Sequence, residues 1–308
     1  DAAGMAWCAA PGCNANSVSE YVMAALLNLA NRGGFELAGR TLGVIGVGQV
    51  GGRVAAKAEG LGMRVLRNDP PLHLATGDPA FLPLHEVLGE SDAATLHVPL
   101  ARTGPFPTHR LAGCDFFGHL RPGALFLNTS RGEVMDSDGL LLALGRGAVG
   151  RAVLDVWEHE PDISPGLLEK TALATPHIAG YSCDGRVNGT LAVYREACRF
   201  FEMPAVWTPP ERDMPPGGPL AVDARGRSDE EVLHALVRSA YDIASDDAAL
   251  RGSSADETLA ERFRRLRHAY PARREFPAFT VSLAHGSEEL VGKAAALGFK
   301  IRPSEPVW

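Results

Sequence analysis

Along this chain, short apolar runs alternate with stretches in which apolar residues return every three or four positions. The first periodic stretch predicts a helix over roughly 17–31, with Val18, Val22, Leu26 and Leu29 on one face. Ser17 or Ser19 is the expected cap, because Glu20 stands three residues after Ser17, a capping-box spacing. Asn31-Arg32-Gly33-Gly34 stops the helix. An apolar run at 42–45 predicts a strand. A helical pattern follows it, then a second apolar run (Met63, Val65, Leu66) closed by Asp69-Pro70-Pro71. Further strands are expected at 93–98, 124–127, 152–156 and 172–174. Helices are expected at 84–88, 114–120 and 136–145, and a long one at 187–201. Short apolar strands alternating with helices predict an α/β fold with a doubly wound parallel sheet, covered on both faces.

The pattern breaks after residue 203. Pro204, Pro209, Pro210, Pro215, Pro216, Gly217, Gly218 and Pro219 form a linker. Beyond it a smaller α/β pattern predicts strands at 220–222, 279–283 and 299–302, and helices at 229–245, 257–268 and 287–297. The organisation expected is 1–31, then 32–176 as the main α/β unit, 177–203 as a return segment, 204–219 as linker and 220–308 as a C-terminal domain.

The first βα turn carries the chemistry. It reads Gly46-Val47-Gly48-Gln49-Val50-Gly51 between strand and helix. Gly46 turns the chain off the strand, Gly48 lets a pyrophosphate approach the backbone, and Gly51 lets helix and strand pack closely. The helix N-terminus offers free N–H groups to phosphate. Asp69, 18 residues past Gly51, ends the second strand, where a carboxylate accepts from a ribose diol and repels a 2′-phosphate. The unit is read as a dinucleotide-binding (Rossmann) domain for NAD rather than NADP.

Composition narrows the class. The 308 residues are 45% hydrophobic and 22% charged, with a net charge of −7, which argues against nucleic acid or an anionic membrane as partner. No apolar run approaches the ~20 residues that span a bilayer. The longest, 22–30, contains Asn28. No signal-peptide pattern is visible. Cys8, Cys13, Cys114, Cys183 and Cys198 are scattered, with no C-x-x-C pair, and read as reduced thiols of a cytoplasmic protein with no zinc or other metal site.

Three polar residues follow strand ends, where open α/β sheets place their ligands. Arg131 follows 124–127, Glu160 follows 152–156, and His177 follows 172–174. Oxidising a 2-hydroxy acid needs a cation for the carboxylate and the forming carbonyl, which a guanidinium fork supplies. It needs a base for the hydroxyl proton, which an imidazole supplies, and a carboxylate to orient that imidazole. Arg131, His177 and Glu160 fit these roles in order. His97 is expected to line the cofactor pocket without doing chemistry. The remaining histidines read as surface or structural.

At these residues the sequence resembles the D-2-hydroxyacid dehydrogenase superfamily, through G-x-G-x-x-G, N-x-S-R-G at 128–132, D-V-W-E-x-E-P at 155–161 and T-P-H-I-A-G at 175–180. Within it the sequence is most similar to the erythronate-4-phosphate dehydrogenase family, through Pro11-Gly12-Cys13-Asn14, Asn68-Asp69-Pro70-Pro71, Tyr181 after H-I-A-G, and Arg273-Arg274-Glu275 in the tail. The resemblance implies NAD-dependent oxidation of 4-phospho-D-erythronate, a small phosphorylated hydroxy acid, to 2-oxo-3-hydroxy-4-phosphobutanoate in pyridoxal phosphate (vitamin B6) biosynthesis. It implies that Arg131, Glu160 and His177 are catalytic, with Arg131 and Tyr181 on the substrate. The cofactor residues it implies are Gly46, Gly48, Gln49, Val50, Gly51, Asp69, His97, Val98, Pro99, Thr129, Ser130, Asp155 and Gly180. Val98 stands where the family often has threonine, so a contact there would use its backbone.

The resemblance also implies that 220–308 is a dimerisation domain. Val232, Ala235, Leu236, Ser239, Ala240 and Ile243 fall on one face of helix 229–245, as a homodimer interface would need. The family carries a βα segment before Pro11-Gly12 that supplies substrate and phosphate contacts. Residues 1–31 are therefore expected to be the remnant of a flavodoxin-like substrate domain. The chain as given is expected to bind NAD, turn over poorly and expose the apolar face of helix 17–31. The alternative readings are another D-2-hydroxyacid dehydrogenase of the phosphoglycerate type, a non-enzymatic NAD-binding scaffold, and a defunct fragment.

Overall fold

The computed structural model describes residues 4–209, 214–253 and 256–302. Residues 1–3, 210–213 of the proline linker and 303–308 of the C-terminal domain lie outside the described residues. Six strands form one parallel sheet: β1 (Thr41–Ile45), β2 (Arg64–Asn68), β3 (Ala93–Leu96), β4 (Ala124–Asn128), β5 (Val149–Leu154) and β6 (Leu173–Ala174). Their order is β2-β1-β3-β4-β5-β6. The chain therefore reverses direction across the sheet beside β1, and the carboxyl ends of β1 and β3 part at that switch.

Successive residues of a buried strand serve opposite faces, which is why these strands are apolar throughout. Leu125 and Leu127 join the core under α1 (Ala15–Gly33) and α2 (Gln49–Gly60), while Phe126 joins the opposite core. There the Phe126 ring stands edge-on to Phe117 of α5 (Cys114–His119), with centroids 5.1 Å apart. That face also holds Leu88 of α4 (Leu84–Glu90), Leu140 and Ala143 of α6 (Ser137–Gly145), and Phe263 of α11 (Leu259–His268). α8 (Cys183–Phe200) leaves the sheet after β6.

Three parallel strands, β7 (Pro219–Asp223), β8 (Thr280–Ala284) and β9 (Lys300–Ile301), form the C-terminal sheet in that order. Two of its helices, α9 (Asp229–Ala240) and α12 (Glu288–Leu297), place Val232, Leu233, Leu236, Leu290 and Leu297 in the same core as α1 and α2. The first helix is thus covered: Val22, Leu26 and Leu29 are at most 2% exposed. The exposed apolar face expected for it does not exist, because the C-terminal unit of the same chain lies over it.

Other expectations are corrected locally. α1 begins at Ala15, and Asn14 precedes it without a side-chain cap. Ser17 and Glu20 form no capping box; both are buried and bond to the C-terminal unit instead. Two helices stand where the apolar pattern predicts no element: α3 (Pro70–Thr76) and α7 (Pro165–Lys170). Each starts with proline behind a capping side chain, Asp69 on the Leu72 N–H and Ser164 on the Leu167 N–H. Proline breaks a helix interior but suits its first turn. Helix 229–245 is two helices, α9 and α10 (Ile243–Arg251), with a new cap where Asp242 accepts from the Ala244 N–H.

Candidate active site

The glycine turn between β1 and α2 is built as its spacing demands. Gly46 has φ +86, and a Cβ there would stand 2.8 Å from the His97 backbone. A Cβ on Gly51 would meet the Gly46 carbonyl oxygen at 1.9 Å, so any side chain would push α2 off the strand. A Cβ on Gly48 would meet nothing within 4 Å. That open space over the start of α2 is the cradle a pyrophosphate requires. Gln49 is the first residue of α2, and Val50 lines the cavity described below.

Asp69 faces this turn. Its Oδ2 accepts from the Val47 N–H at 2.8 Å and its Oδ1 from the Leu72 N–H at 3.0 Å. A carboxylate has about four acceptor positions, so each oxygen keeps one for a ribose hydroxyl. Gly46, Gly48, Asp69, Pro70, Pro71, His97, Val98 and Pro99 line a cavity of about 400 Å³ with Pro105-Phe106-Pro107 as its far wall. This apolar slot suits a flat adenine ring.

A second cavity of about 530 Å³ shares His97, Val98 and Pro99 with the first. It brings together Thr129, Ser130, Arg131, Asp155, His177, Gly180 and Tyr181, which lie up to 52 residues apart in sequence. Buried Asn128 shapes the loop that presents Arg131: its Oδ1 accepts from the Ser130 N–H at 3.0 Å and hydroxyl at 2.9 Å, and its Nδ2 donates to the Arg131 carbonyl at 3.1 Å. Gly132 then packs on the Trp157 carbonyl, where a Cβ would stand 1.9 Å away.

His177 lines the cavity with its backbone in the left-handed region, φ +58. Its Nδ1 lies 2.8 Å from Glu160 Oε2, and the other Glu160 oxygen accepts from the Trp157 N–H at 2.8 Å. Glu160 therefore fixes the ring from behind and leaves Nε2 to the cavity. Asp155 anchors the same loop. Its carboxylate accepts from the Thr175 hydroxyl at 2.7 Å, the Ile178 N–H at 2.7 Å and the Ala179 N–H at 2.9 Å. Burial holds its carboxyl above the usual carboxylate range, against the downward pull of the nearby His177 and these three donors. Three donors aimed at two oxygens favour the ionised form.

His97 is neutral: burial pushes its imidazole down to about 3. It sits within 3.0 Å of the Thr95 hydroxyl and 3.3 Å of the Thr129 hydroxyl. No group of metal-ligating side chains occurs among the described residues. Sequence reasoning missed Asn14, Val18 and Leu100 on the cavity wall and the Pro105–Pro107 wall of the slot. Nothing local marks them. A Cβ on Gly180 would lie 2.3 Å from Asn14 Nδ2, and this contact between distant segments is what brings the helix start to the cavity.

The sequence matches the family described as D-isomer specific 2-hydroxyacid dehydrogenase, NAD binding domain, over residues 15–179. A domain of unknown function matches residues 215–298. The erythronate-4-phosphate dehydrogenase of Salinibacter ruber is 47% identical over 91% of this chain and 74% of its own length. That of Edwardsiella ictaluri is 43% identical over 91% of this chain and 73% of its own. The chain thus spans about three quarters of the length of these relatives. Among solved structures, an NAD-dependent formate dehydrogenase from Staphylococcus aureus in complex with NAD shares the fold, with TM-score 0.53 and 24% identity over 62% of this chain and 63% of that one. With a glycine turn, a facing Asp69 and a Glu160-backed histidine on a parallel sheet, and with relatives of this similarity, the chain belongs to the D-2-hydroxyacid dehydrogenase family and, within it, to the erythronate-4-phosphate dehydrogenases.

Proposed function

We propose that this protein oxidises 4-phospho-D-erythronate to 2-oxo-3-hydroxy-4-phosphobutanoate with NAD, as a step of pyridoxal phosphate biosynthesis. The observation that carries the reading is the His177–Glu160 pair at 2.8 Å on the wall of the cavity that also holds Arg131. NAD, when bound, supplies the hydride acceptor. The open backbone at Gly48 and the carboxylate of Asp69 fit its pyrophosphate and adenosine ribose, and Val98, with no hydroxyl, would contribute only backbone.

His177 takes the hydroxyl proton on Nε2 while Glu160 stabilises the imidazolium through Nδ1. Arg131 holds the substrate carboxylate and the oxygen that becomes the ketone. Asp155 keeps the His177 loop in place and Tyr181 closes the substrate side. An NAD-binding scaffold can keep the same acid–base pair, so turnover decides between the two readings.

Supplying NAD with 4-phosphoerythronate or with 3-phosphoglycerate, and following NADH, tests the substrate. A higher kcat/KM for 4-phosphoerythronate is expected, and a preference for 3-phosphoglycerate would move the chain to the phosphoglycerate type.

The partner reading is a homodimer through the C-terminal unit, supported by the likeness of the tail to that family's dimerisation domain. Val232 and Leu236 do not support it, since α1 of the same chain covers them. Sedimentation decides between dimer and monomer. The compartment reading is the cytoplasm, supported by five cysteines that are all free thiols.

A further inference from the structure

Among the contacts of the C-terminal unit near the active site, residues 273–275 are the most densely bonded. Arg273 is buried, 7% exposed, and its Nη2 donates to the Ala179 carbonyl at 2.9 Å and to the Ser17 carbonyl at 3.3 Å. The Arg273 carbonyl accepts from the Cys183 N–H at 2.8 Å. Arg274 grips Asp184 at 3.0 to 3.2 Å. Glu275 accepts from Ser17 and Ser182 hydroxyls at 2.6 and 3.0 Å. One tripeptide thus ties the start of α1, beside the cavity, to the loop that carries His177 and Tyr181.

We propose that Arg273 is a positioning residue for the acid–base site: by holding the Ala179 and Ser17 carbonyls together, it sets the 177–181 loop and hence the His177 imidazole. The inference rests on reading His177 as the base. Ala179 is held from both sides, its N–H by Asp155 at 2.9 Å and its carbonyl by Arg273, so its peptide planes have no freedom to turn. His177 is two residues away, at φ +58, a backbone state that a non-glycine residue keeps when its surroundings fix it.

The residue type supports a working role. The guanidinium lies 4.2 Å over the Tyr241 ring, and its Nε and Nη1 have no hydrogen-bond partner in the described structure. A buried cation with two orphan donors is a costly way to fill space, and an apolar side chain would fill it more cheaply. What the cation adds is the pair of carbonyls on one nitrogen. The same unit flanks Tyr181, with the Tyr270 ring edge-on at 6.0 Å and the Arg267 guanidinium 5.9 Å from its centroid. Glu20, Asp246, Tyr241 and Tyr270 are the ionisable groups that bear on Arg273.

The test compares the full chain with Arg273→Ala and Arg273→Lys. A displaced base costs ~10–10²-fold in turnover. Arg273→Ala should lower kcat by that amount, leave NAD affinity within about threefold, and move the acid limb of the kcat/KM profile as the His177–Glu160 contact loosens. Arg273→Lys keeps a cation whose three ammonium donors can serve the same two carbonyls and should recover most of kcat and the original profile. A substrate-free arm follows the His177 ring proton by NMR, assigned by its loss in His177→Gln; it should shift in Arg273→Ala and return in Arg273→Lys. Should Arg273→Ala not fold, Arg273→Gln is measured in its place, with the same expectation. A folded Ala or Gln variant with the wild-type profile and an unmoved His177 signal overturns the proposal. If the wild-type chain forms no NADH, the proposed function fails, while the NMR arm still decides the positioning claim.

Discussion

The choice of NAD over NADP is proposed to turn on Asp69. Two of its acceptor positions are taken by the Val47 and Leu72 N–H groups, and the residue lines the cavity beside the glycine turn. NAD should therefore bind more tightly than NADP, and Asp69→Ala should narrow the difference. Titration of both cofactors by calorimetry checks it, and equal or tighter NADP binding by the unaltered chain would refute it. His97 gives a pH signature. Its imidazole is neutral in the fold, pushed down to about 3 from 6.5 in the unfolded chain. Its contribution to stability is complete above pH 6.5 and is lost as pH falls from there toward 3, because only the unfolded chain takes up the proton. The slope from this group stays below ~1.4 kcal/mol per pH unit, since part of the ring faces the cavity. Urea melts of wild type and His97→Gln between pH 7 and 4.5 should show a shallower loss in the variant. Parallel losses would show that His97 is charged in the fold.

At the scale of elements, the turn at Gly46–Gly51 was legible because each glycine answers a steric requirement within a few residues. Gly51→Ala places a methyl 1.9 Å from the Gly46 carbonyl, so the turn must open. The variant should lose ~1–3 kcal/mol of stability, as overpacking does, and most of its NAD affinity. A variant with the wild-type melting temperature and NAD affinity would contradict that packing. The placement of Arg131, Glu160 and His177 after strand ends was legible because each follows an apolar run that forms a parallel strand. The helices α3 and α7 were not, because proline at a helix start and proline at a helix break look alike until the cap behind them is seen. Ser17 and Glu20 misled for the opposite reason. Their spacing fits a capping box, but Ser17 bonds Glu275 and Glu20 accepts from the Phe276 N–H, both contacts across more than 250 residues.

Across the whole molecule, the C-terminal unit shares a core with the nucleotide-binding unit. Burying a leucine or valine contributes ~1.5–3 kcal/mol, and Val232, Leu233, Leu236 and Leu290 are all at most 1% exposed in that shared core. Removing them costs an amount comparable with the ~5–15 kcal/mol stability of a typical domain. A chain truncated at Trp207 should therefore aggregate or melt at much lower temperature, and a stable, NAD-binding truncated monomer would show that the shared core contributes little.

The central claim is that a Glu160-backed His177, on an NAD-binding sheet, removes the proton from 4-phosphoerythronate. NADH formation by the chain and by His177→Ala, each with NAD affinity measured separately, tests it most directly. The account predicts NADH from the wild type, a fall in kcat of about 10²–10⁴-fold in the variant and unchanged NAD affinity. A wild type that binds NAD yet forms no NADH from this substrate, or a His177→Ala variant that keeps the wild-type kcat, would contradict it.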